Sequence, residues 1–161
     1  MRYLALFSAA LLVGCVSAPH ASVPNYPEAR SYGASKDASA DVDAALEHAK
    51  TSGKHVLLVM GANWCHDSRA LAGWLGTPRF RQLVDAEYEL VFVNVGMPQT
   101  GDGHNLDIAK RFGLETLPGT PNVLVLTPSG SLVNADTATS WRNAASRSED
   151  EIYDELARLA G

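Results

Sequence analysis

The sequence lacks several features on which other protein classes depend. Only two of its 161 residues are cysteine, Cys15 and Cys65, and their very different contexts argue against a disulfide framework. The formal net charge is −5 and there is no basic patch, so we expect no nucleic-acid partner. No internal repeat is present. The chain is instead rich enough in hydrophobic residues, at 46%, to bury the core of one domain.

The N-terminal apolar run has the form of a targeting segment. Arg2 precedes the run Leu4–Val13, which is much shorter than the roughly 20 residues that span a bilayer. The run ends in Leu12-Val13-Gly14-Cys15, which resembles the lipobox of bacterial lipoproteins. That resemblance implies cleavage before Cys15 and attachment of lipid to it. The alternative is ordinary signal cleavage near Ala21, which would discard Cys15.

Either form of processing predicts an exported protein. Val16 supplies no acidic retention signal of the kind known in lipoproteins. The resemblance therefore implies a lipid-anchored protein of the cell envelope that faces the periplasm, at the outer membrane rather than the inner one. We predict a signal peptide over 1–14, a lipidated cysteine and flexible tether over 15–40, and one folded domain over 41–161. The tether is predicted because its Ala, Ser, Pro and Gly show no periodicity.

Strand and helix patterns alternate along the predicted domain. Asp41 can cap a helix that stops at Gly53, and Ser148 with Glu151 forms a capping box for the last helix. Other helices are predicted from Cys65 to Gly76, from Pro78 onward and over Asn105–Phe112. Strands are predicted at His55–Met60, Tyr88–Val95 and Asn122–Leu126, with Ser131–Val133 as a hairpin partner of the last. This order implies an α/β sandwich with a mixed sheet.

The most informative stretch is Trp64-Cys65-His66-Asp67-Ser68, which joins an apolar strand to a helix. A cysteine at that turn lies beside unpaired N–H groups and the positive end of the helix dipole. There the pKa of a thiol can fall from about 8.5 to roughly 3.5–7.5. Ser68 stands three residues on, where a dithiol enzyme carries its second cysteine. Cys65 is therefore predicted to be a reactive thiol that cannot close its own disulfide.

Together with a later Gly119-Thr120-Pro121, these features resemble the thioredoxin superfamily across roughly residues 41–161. The resemblance implies a thioredoxin-like α/β/α sandwich with a mixed central sheet. It also implies that the Thr120–Pro121 bond is cis and lies against Cys65. A backbone edge at Thr120 would then be free to pair with an extended peptide.

Two residues depart from the family pattern. Ser68 replaces the resolving cysteine, and Val59 stands where many thioredoxins carry a buried aspartate that assists deprotonation of that second thiol. The two changes are coherent, since the base has no purpose without its thiol. They disfavour a general dithiol reductase. Monothiol relatives act on mixed disulfides or glutathionylated proteins, isomerise disulfides, or have lost redox activity.

Each candidate residue also has a plainer interpretation. Cys65 could be an inert core residue, since free cysteines are often buried. His66 could be solvated, or could stabilise a thiolate when protonated, whereas Asp67 would raise the thiol pKa by like charge. Ser68 could donate a hydrogen bond to the thiolate or be merely tolerated. Trp64 is predicted to pack beside the site.

Metal and peptidase chemistry are not expected. His55, His66 and His104 with Cys65 match no compact ligand pattern, so we predict neither a metal nor a cofactor. Nothing identifies the orienting groups of a Cys–His peptidase.

We predict thiol–disulfide exchange through Cys65 and Ser68, with substrates bound by Trp64, His66, Thr120 and Pro121. The expected partners are protein thiols and disulfides or glutathione adducts, and a membrane through the lipid on Cys15. Two alternatives remain, a binding module that uses the groove at Pro121 without turnover and a maturation factor for an envelope partner.

Overall fold

A computed structural model of the chain describes residues 25–33 and 38–161. Its central sheet has three strands, β1 (His55–Gly61), β2 (Tyr88–Asn94) and β5 (Asn122–Leu126), in the order β2-β1-β5. Strand β1 runs parallel to β2 and antiparallel to β5, so the sheet is mixed as predicted. Because β1 lies in the middle and carries an unbroken apolar run, Val56–Gly61 is buried on both faces.

Helices cover both faces of the sheet. Along β1, Leu57 and Val59 point into one core with helices α2 (His66–Leu75), α3 (Pro78–Glu87) and α5 (Glu149–Ala160). Leu58 and Met60 point into a second core with α1 (Ser39–Ser52) and α4 (Leu106–Arg111). This alternation is the two-residue period of a strand. The predicted α/β/α sandwich is confirmed.

Most element ends follow local sequence signals. Gly53 ends α1 in the left-handed conformation, and the Ser148–Glu151 capping box opens α5 as predicted. The prediction of Asp41 as a cap is wrong, because α1 begins at Ser39 and Asp41 lies in its first turn. The second hairpin strand at Ser131–Val133 is shortened to a single bridge between Leu126 and Leu132.

Two regions of the described chain lie outside the central sheet and the long helices. Between β2 and α4 the chain forms a small antiparallel hairpin of β3 (Gly96–Met97) and β4 (Asp102–Gly103). Residues 134–147 form turns and a short 3₁₀ helix, and Trp141 lies fully buried among them.

Residues 25–33 form a segment that we call the N-terminal strap. The prediction of a flexible tether through residue 40 needs correction here, because the strap packs along α2. The Ala29 N–H donates to the carbonyl of Arg69 at 3.0 Å, and Tyr32 is 2% exposed in the core shared with α2. Periodicity could not predict this, because the strap has neither helix nor strand structure.

Several predictions fall outside the described residues. The signal segment over 1–14, the lipobox and Cys15 all belong to the part of the chain that is not described. Within residues 25–33 and 38–161, no helix combines the length and apolar character that crossing a membrane requires.

Candidate functional site

The site lies where three strand ends meet. Because β1 and β2 are parallel, their C-terminal ends share one edge, with Gly61 opposite Asn94. Strand β5 is antiparallel, so its beginning lies at the same edge, with Asn122 opposite Met60. The topology therefore brings the turn after β1 and the segment before β5 together.

Cys65 occupies the N-cap position of α2. Its backbone is extended, with φ −81° and ψ 125°, and its carbonyl accepts the first helical hydrogen bond from Arg69 N at 3.1 Å. No side chain of the described residues caps this end of α2. The thiol is 7% exposed and donates to the Thr120 carbonyl at 3.4 Å. A thiolate formed here lies at the positive end of a ten-residue helix.

The Thr120–Pro121 segment faces the thiol, as predicted. The peptide bond is cis and the Thr120 carbonyl contacts Cys65 Sγ, so both parts of that prediction are confirmed. Asn122 closes the turn, because its side-chain amide donates to the Gly119 carbonyl at 2.8 Å. The Thr120 hydroxyl is buried and has no hydrogen-bond partner among the described residues.

Ser68 lies on the first turn of α2, fully buried beneath the Cys65 turn. Its hydroxyl accepts from Ala62 N at 3.3 Å, and its carbonyl accepts from the Tyr32 hydroxyl at 3.2 Å. A Cβ on Gly61 would lie 2.7 Å from both Ser68 Oγ and the Tyr32 ring, so glycine is required there. Within the described part of the chain, Ser68 makes no hydrogen bond to the Cys65 thiol. Ser68 instead fixes the turn itself.

His66 and Asp67 pair with each other. His66 Nε2 lies 3.1 Å from Asp67 Oδ2, and the His66 side chain is 65% exposed. The other carboxylate oxygen of Asp67 accepts from Ala145 N at 2.8 Å, which ties α2 to the 3₁₀ turn at Ala144–Ser146. The geometry thus directs Asp67 into a structural contact and sets His66 against that carboxylate.

Trp64 marks the exposed rim of the site. Its indole N–H donates to the Gly96 carbonyl at 2.9 Å, which joins the Cys65 turn to the hairpin of β3 and β4. The ring is 49% exposed, and Met97 beside Gly96 is 37% exposed. Trp64, the residue directly before Cys65, therefore gives the rim an exposed apolar ring.

The structure adds one residue that the sequence pattern does not mark, Arg69. Its Nη1 donates to the carbonyls of Asn63 at 3.2 Å and Trp64 at 3.0 Å, immediately before Cys65. Its Nε and Nη2 bind the carboxylate of Glu28 in the strap at 3.1 and 3.2 Å. The hydrogen bond from Arg69 lowers the pKa of Glu28 from its ordinary value and raises the pKa of Arg69. Glu28 is 41 positions away along the chain, beyond the reach of any local pattern.

Metal ligands are not gathered in the described part of the chain. Within residues 25–33 and 38–161, no group of three His, Cys, Asp or Glu side chains could hold a metal ion. His55 lies at the start of β1, the strand whose far end carries the site.

Comparisons with known proteins agree with this architecture. The thioredoxin-like family matches residues 37–128 of the chain. A disulphide isomerase from Xylella fastidiosa Temecula1 is 32% identical, with a TM-score of 0.72 over 86% of this chain and 100% of that one. A thioredoxin from Thermus thermophilus is 21% identical, with a TM-score of 0.52 over 73% and 82% of the respective chains. No curated protein sequence matches the chain.

Proposed function

Since this chain belongs to the thioredoxin-like family, we propose that Cys65 carries out thiol–disulfide exchange through mixed disulfides. One observation carries the proposal: the Cys65 thiol lies at the N-terminal end of α2, 3.4 Å from the Thr120 carbonyl. The helix end favours the thiolate. The neighbouring backbone edge suits an extended substrate segment. The disulphide isomerase from Xylella fastidiosa supports this class of chemistry.

The reaction begins with loss of the Cys65 proton to solvent. The thiolate attacks one sulfur of a substrate disulfide, the S–S bond breaks, and the second substrate sulfur leaves as a thiolate that takes up a proton. Cys65 is then joined to the substrate by a mixed disulfide. A second substrate thiolate can attack that bond and release Cys65, which completes an isomerisation without net oxidation or reduction. A glutathione thiolate can also attack the substrate sulfur of the mixed disulfide. Cys65 is then released as a thiolate, and glutathione stays joined to the substrate sulfur.

Ser68 and Val59 favour this monothiol route over dithiol reduction. Ser68 cannot attack the mixed disulfide, and its hydroxyl already accepts from Ala62 N. Val59 is fully buried in the apolar core that also contains Leu57 and Leu71, and its side chain offers no base. A resolving thiol must therefore come from the substrate or from a small thiol such as glutathione.

The N-terminal sequence supports a place for this chemistry in the cell envelope. The motif Leu12-Val13-Gly14-Cys15 favours a lipid on Cys15, cleavage before it, and an orientation toward the periplasm at the outer membrane. One acyl chain anchors only marginally, whereas several hold a protein firmly. Cys15→Ala should leave an unprocessed or unlipidated protein. Mass spectrometry that found a mature N-terminus at Ser22 would contradict the anchor.

Intact-mass spectrometry after exposure to oxidised glutathione tests the exchange itself. We expect the wild-type protein to gain a glutathione adduct that maps to Cys65, and the Cys65→Ser variant to gain none at position 65. Because Cys65→Ser keeps Cys15, any remaining adduct belongs to that residue. Ser68→Cys should instead close an internal disulfide with Cys65 and stop the adduct from accumulating.

The alternatives predict a different outcome. A binding module would leave Cys65 unmodified while partners still bind at the Thr120 edge in Cys65→Ser. A maturation factor would capture a particular envelope partner through Cys65 and would show no turnover of other disulfides. Affinity capture with the wild-type protein and with Cys65→Ser separates the three.

A further inference from the structure

The N-terminal strap contacts the turn before Cys65 from several positions. The Tyr32 backbone and the Asn63 side chain exchange two hydrogen bonds, Tyr32 N to Asn63 Oδ1 at 3.2 Å and Asn63 Nδ2 to the Tyr32 carbonyl at 2.7 Å. Arg30 Nη1 donates to the Asn63 carbonyl at 3.2 Å. The strap is therefore bonded to the residue two positions before the thiol.

Arg69 connects the same turn to the strap by a second route. Nη1 of its guanidinium donates to the carbonyls of Asn63 and Trp64, and Nε and Nη2 donate to the carboxylate of Glu28. The side chain is 18% exposed and that of Glu28 is 36% exposed, so the pair is partly shielded from water. The five N–H donors of a planar guanidinium are spread over three nitrogens, so Arg69 can serve two carbonyls on one side and a carboxylate on the other.

We propose that Arg69, locked in place by Glu28 of the strap, is a positioning residue for Cys65. This inference rests on the proposed exchange function of Cys65. Arg69 fixes the two carbonyls that precede the cysteine and so holds its backbone in the extended N-cap geometry. That geometry keeps Sγ at the end of α2 and beside the Thr120 carbonyl.

The arrangement has two consequences for a thiolate. The carbonyl oxygens of Asn63 and Trp64 carry partial negative charge, and their bonds to Arg69 fix their direction. The guanidinium also brings a permanent positive charge to the turn, which favours the thiolate over the thiol. The strap is thus a working part of the site rather than a linker.

The test is the pH dependence of Cys65 alkylation in the full chain, resolved by site with mass spectrometry. Arg69→Gln should raise the midpoint of the curve of alkylation rate against pH by about half a pH unit to one pH unit. Both the hydrogen bonds that hold the turn and the positive charge are lost in this variant. Arg69→Lys keeps the charge but not the fork of donors, so at least half of that rise should remain. Arg79→Gln is the matched control, since Arg79 pairs with Glu149 and Asp150 on the surface and should leave the midpoint unchanged.

Glu28→Gln separates positioning from simple charge. Removing a carboxylate near a thiol lowers the midpoint if charge alone acts, whereas loosening Arg69 raises it. An unchanged midpoint in Arg69→Gln, a wild-type midpoint in Arg69→Lys or a lowered one in Glu28→Gln would each overturn the inference. If Arg69→Gln does not fold, Arg69→Lys and Glu28→Gln carry the test. The midpoint is measurable whether or not Cys65 exchanges disulfides, so failure of the exchange proposal remains distinguishable.

Discussion

The two faces of the sheet are held together in different ways. Among the described residues, the buried members of the core under α1 and α4 are aliphatic residues, alanines and Met60, with no aromatic ring. The core under α2, α3 and α5 also buries Tyr32, Phe80, Tyr88 and Trp141. Two of those aromatic residues carry hydroxyl groups that bind helix carbonyls, Tyr32 to Ser68 and Tyr88 to Leu156. The site lies on the aromatic side.

The difference separates support of the fold from control of the thiol. Apolar packing is nondirectional, so the aliphatic face can stabilise the sheet without specifying any one atom's position. Hydrogen bonds are directional, and on the aromatic face Tyr32 fixes both the strap and the first turn of α2. We therefore expect substitutions on both faces to lower stability, and those in the strap to change Cys65 as well.

The largest expected effect comes from two neighbouring leucines of β1. Leu57 faces the aromatic side and Leu58 the aliphatic side, and both are fully buried. Each change to alanine should lower the free energy of unfolding by about 2–5 kcal/mol, because each removes a packed side chain from a core. Denaturant unfolding measures this. If either variant loses less than about 1 kcal/mol, the face of the sheet on which that leucine lies contributes less to stability than the other face.

A smaller effect is expected from two matched tyrosines. Tyr32→Phe and Tyr88→Phe each remove one buried hydroxyl bond to a helix carbonyl and should each cost about 0.5–1.5 kcal/mol. Only Tyr32→Phe should also speed hydrogen exchange of the Ala29 amide, since only Tyr32 belongs to the strap. If the Ala29 amide exchanges at the same rate in both variants, the Tyr32 hydroxyl does not position the strap, and the distinction between the two tyrosines is lost.

The smallest effect concerns acid. The pKa of Glu28 lies below its ordinary value of 4.5, chiefly because Arg69 hydrogen-bonds to it. A lowered folded pKa contributes stability above the ordinary value, and that contribution is lost as the pH falls through the lowered one. The Ala29 amide should therefore lose part of its protection as the pH falls below 4.5 and through the lowered pKa of Glu28, after correction for intrinsic exchange. This loss should be small, because the pair remains in contact with solvent.

The Gly53 amide is the reference for that experiment, because it ends α1 on the aliphatic face. Glu28→Gln should remove the acid dependence at Ala29 and leave Gly53 unchanged. An acid response of the same size in wild type and Glu28→Gln would exclude the Glu28–Arg69 pair as its source.

Much of the fold could be predicted because local signals and the tertiary structure agree. The apolar run of β1, the glycine after α1 and the Ser148–Glu151 box each specify their element directly. The contact between Thr120 and Cys65 could be expected only from family resemblance, since 55 positions separate them.

The strap and its partners could not be predicted in this way. Residues 25–33 form no helix or strand, so burial of Tyr32 depends on docking against α2. Arg69 shows nothing unusual in sequence, and its role arises only when Glu28 is brought to it. The sequence allows His66 to be solvated or to stabilise the thiolate. Its contact with Asp67 could not be predicted, because it depends on side-chain directions that sequence spacing does not fix.

The central claim is that Cys65 is a reactive thiol, and its titration tests that claim most directly. The measurement is the rate of Cys65 alkylation against pH, resolved by site so that Cys15 does not contribute. We predict a midpoint below about 8.5, the value of an ordinary cysteine, and no signal at position 65 in Cys65→Ser. A midpoint at or above about 8.5, with no partner captured through Cys65, would contradict the account and favour the binding module.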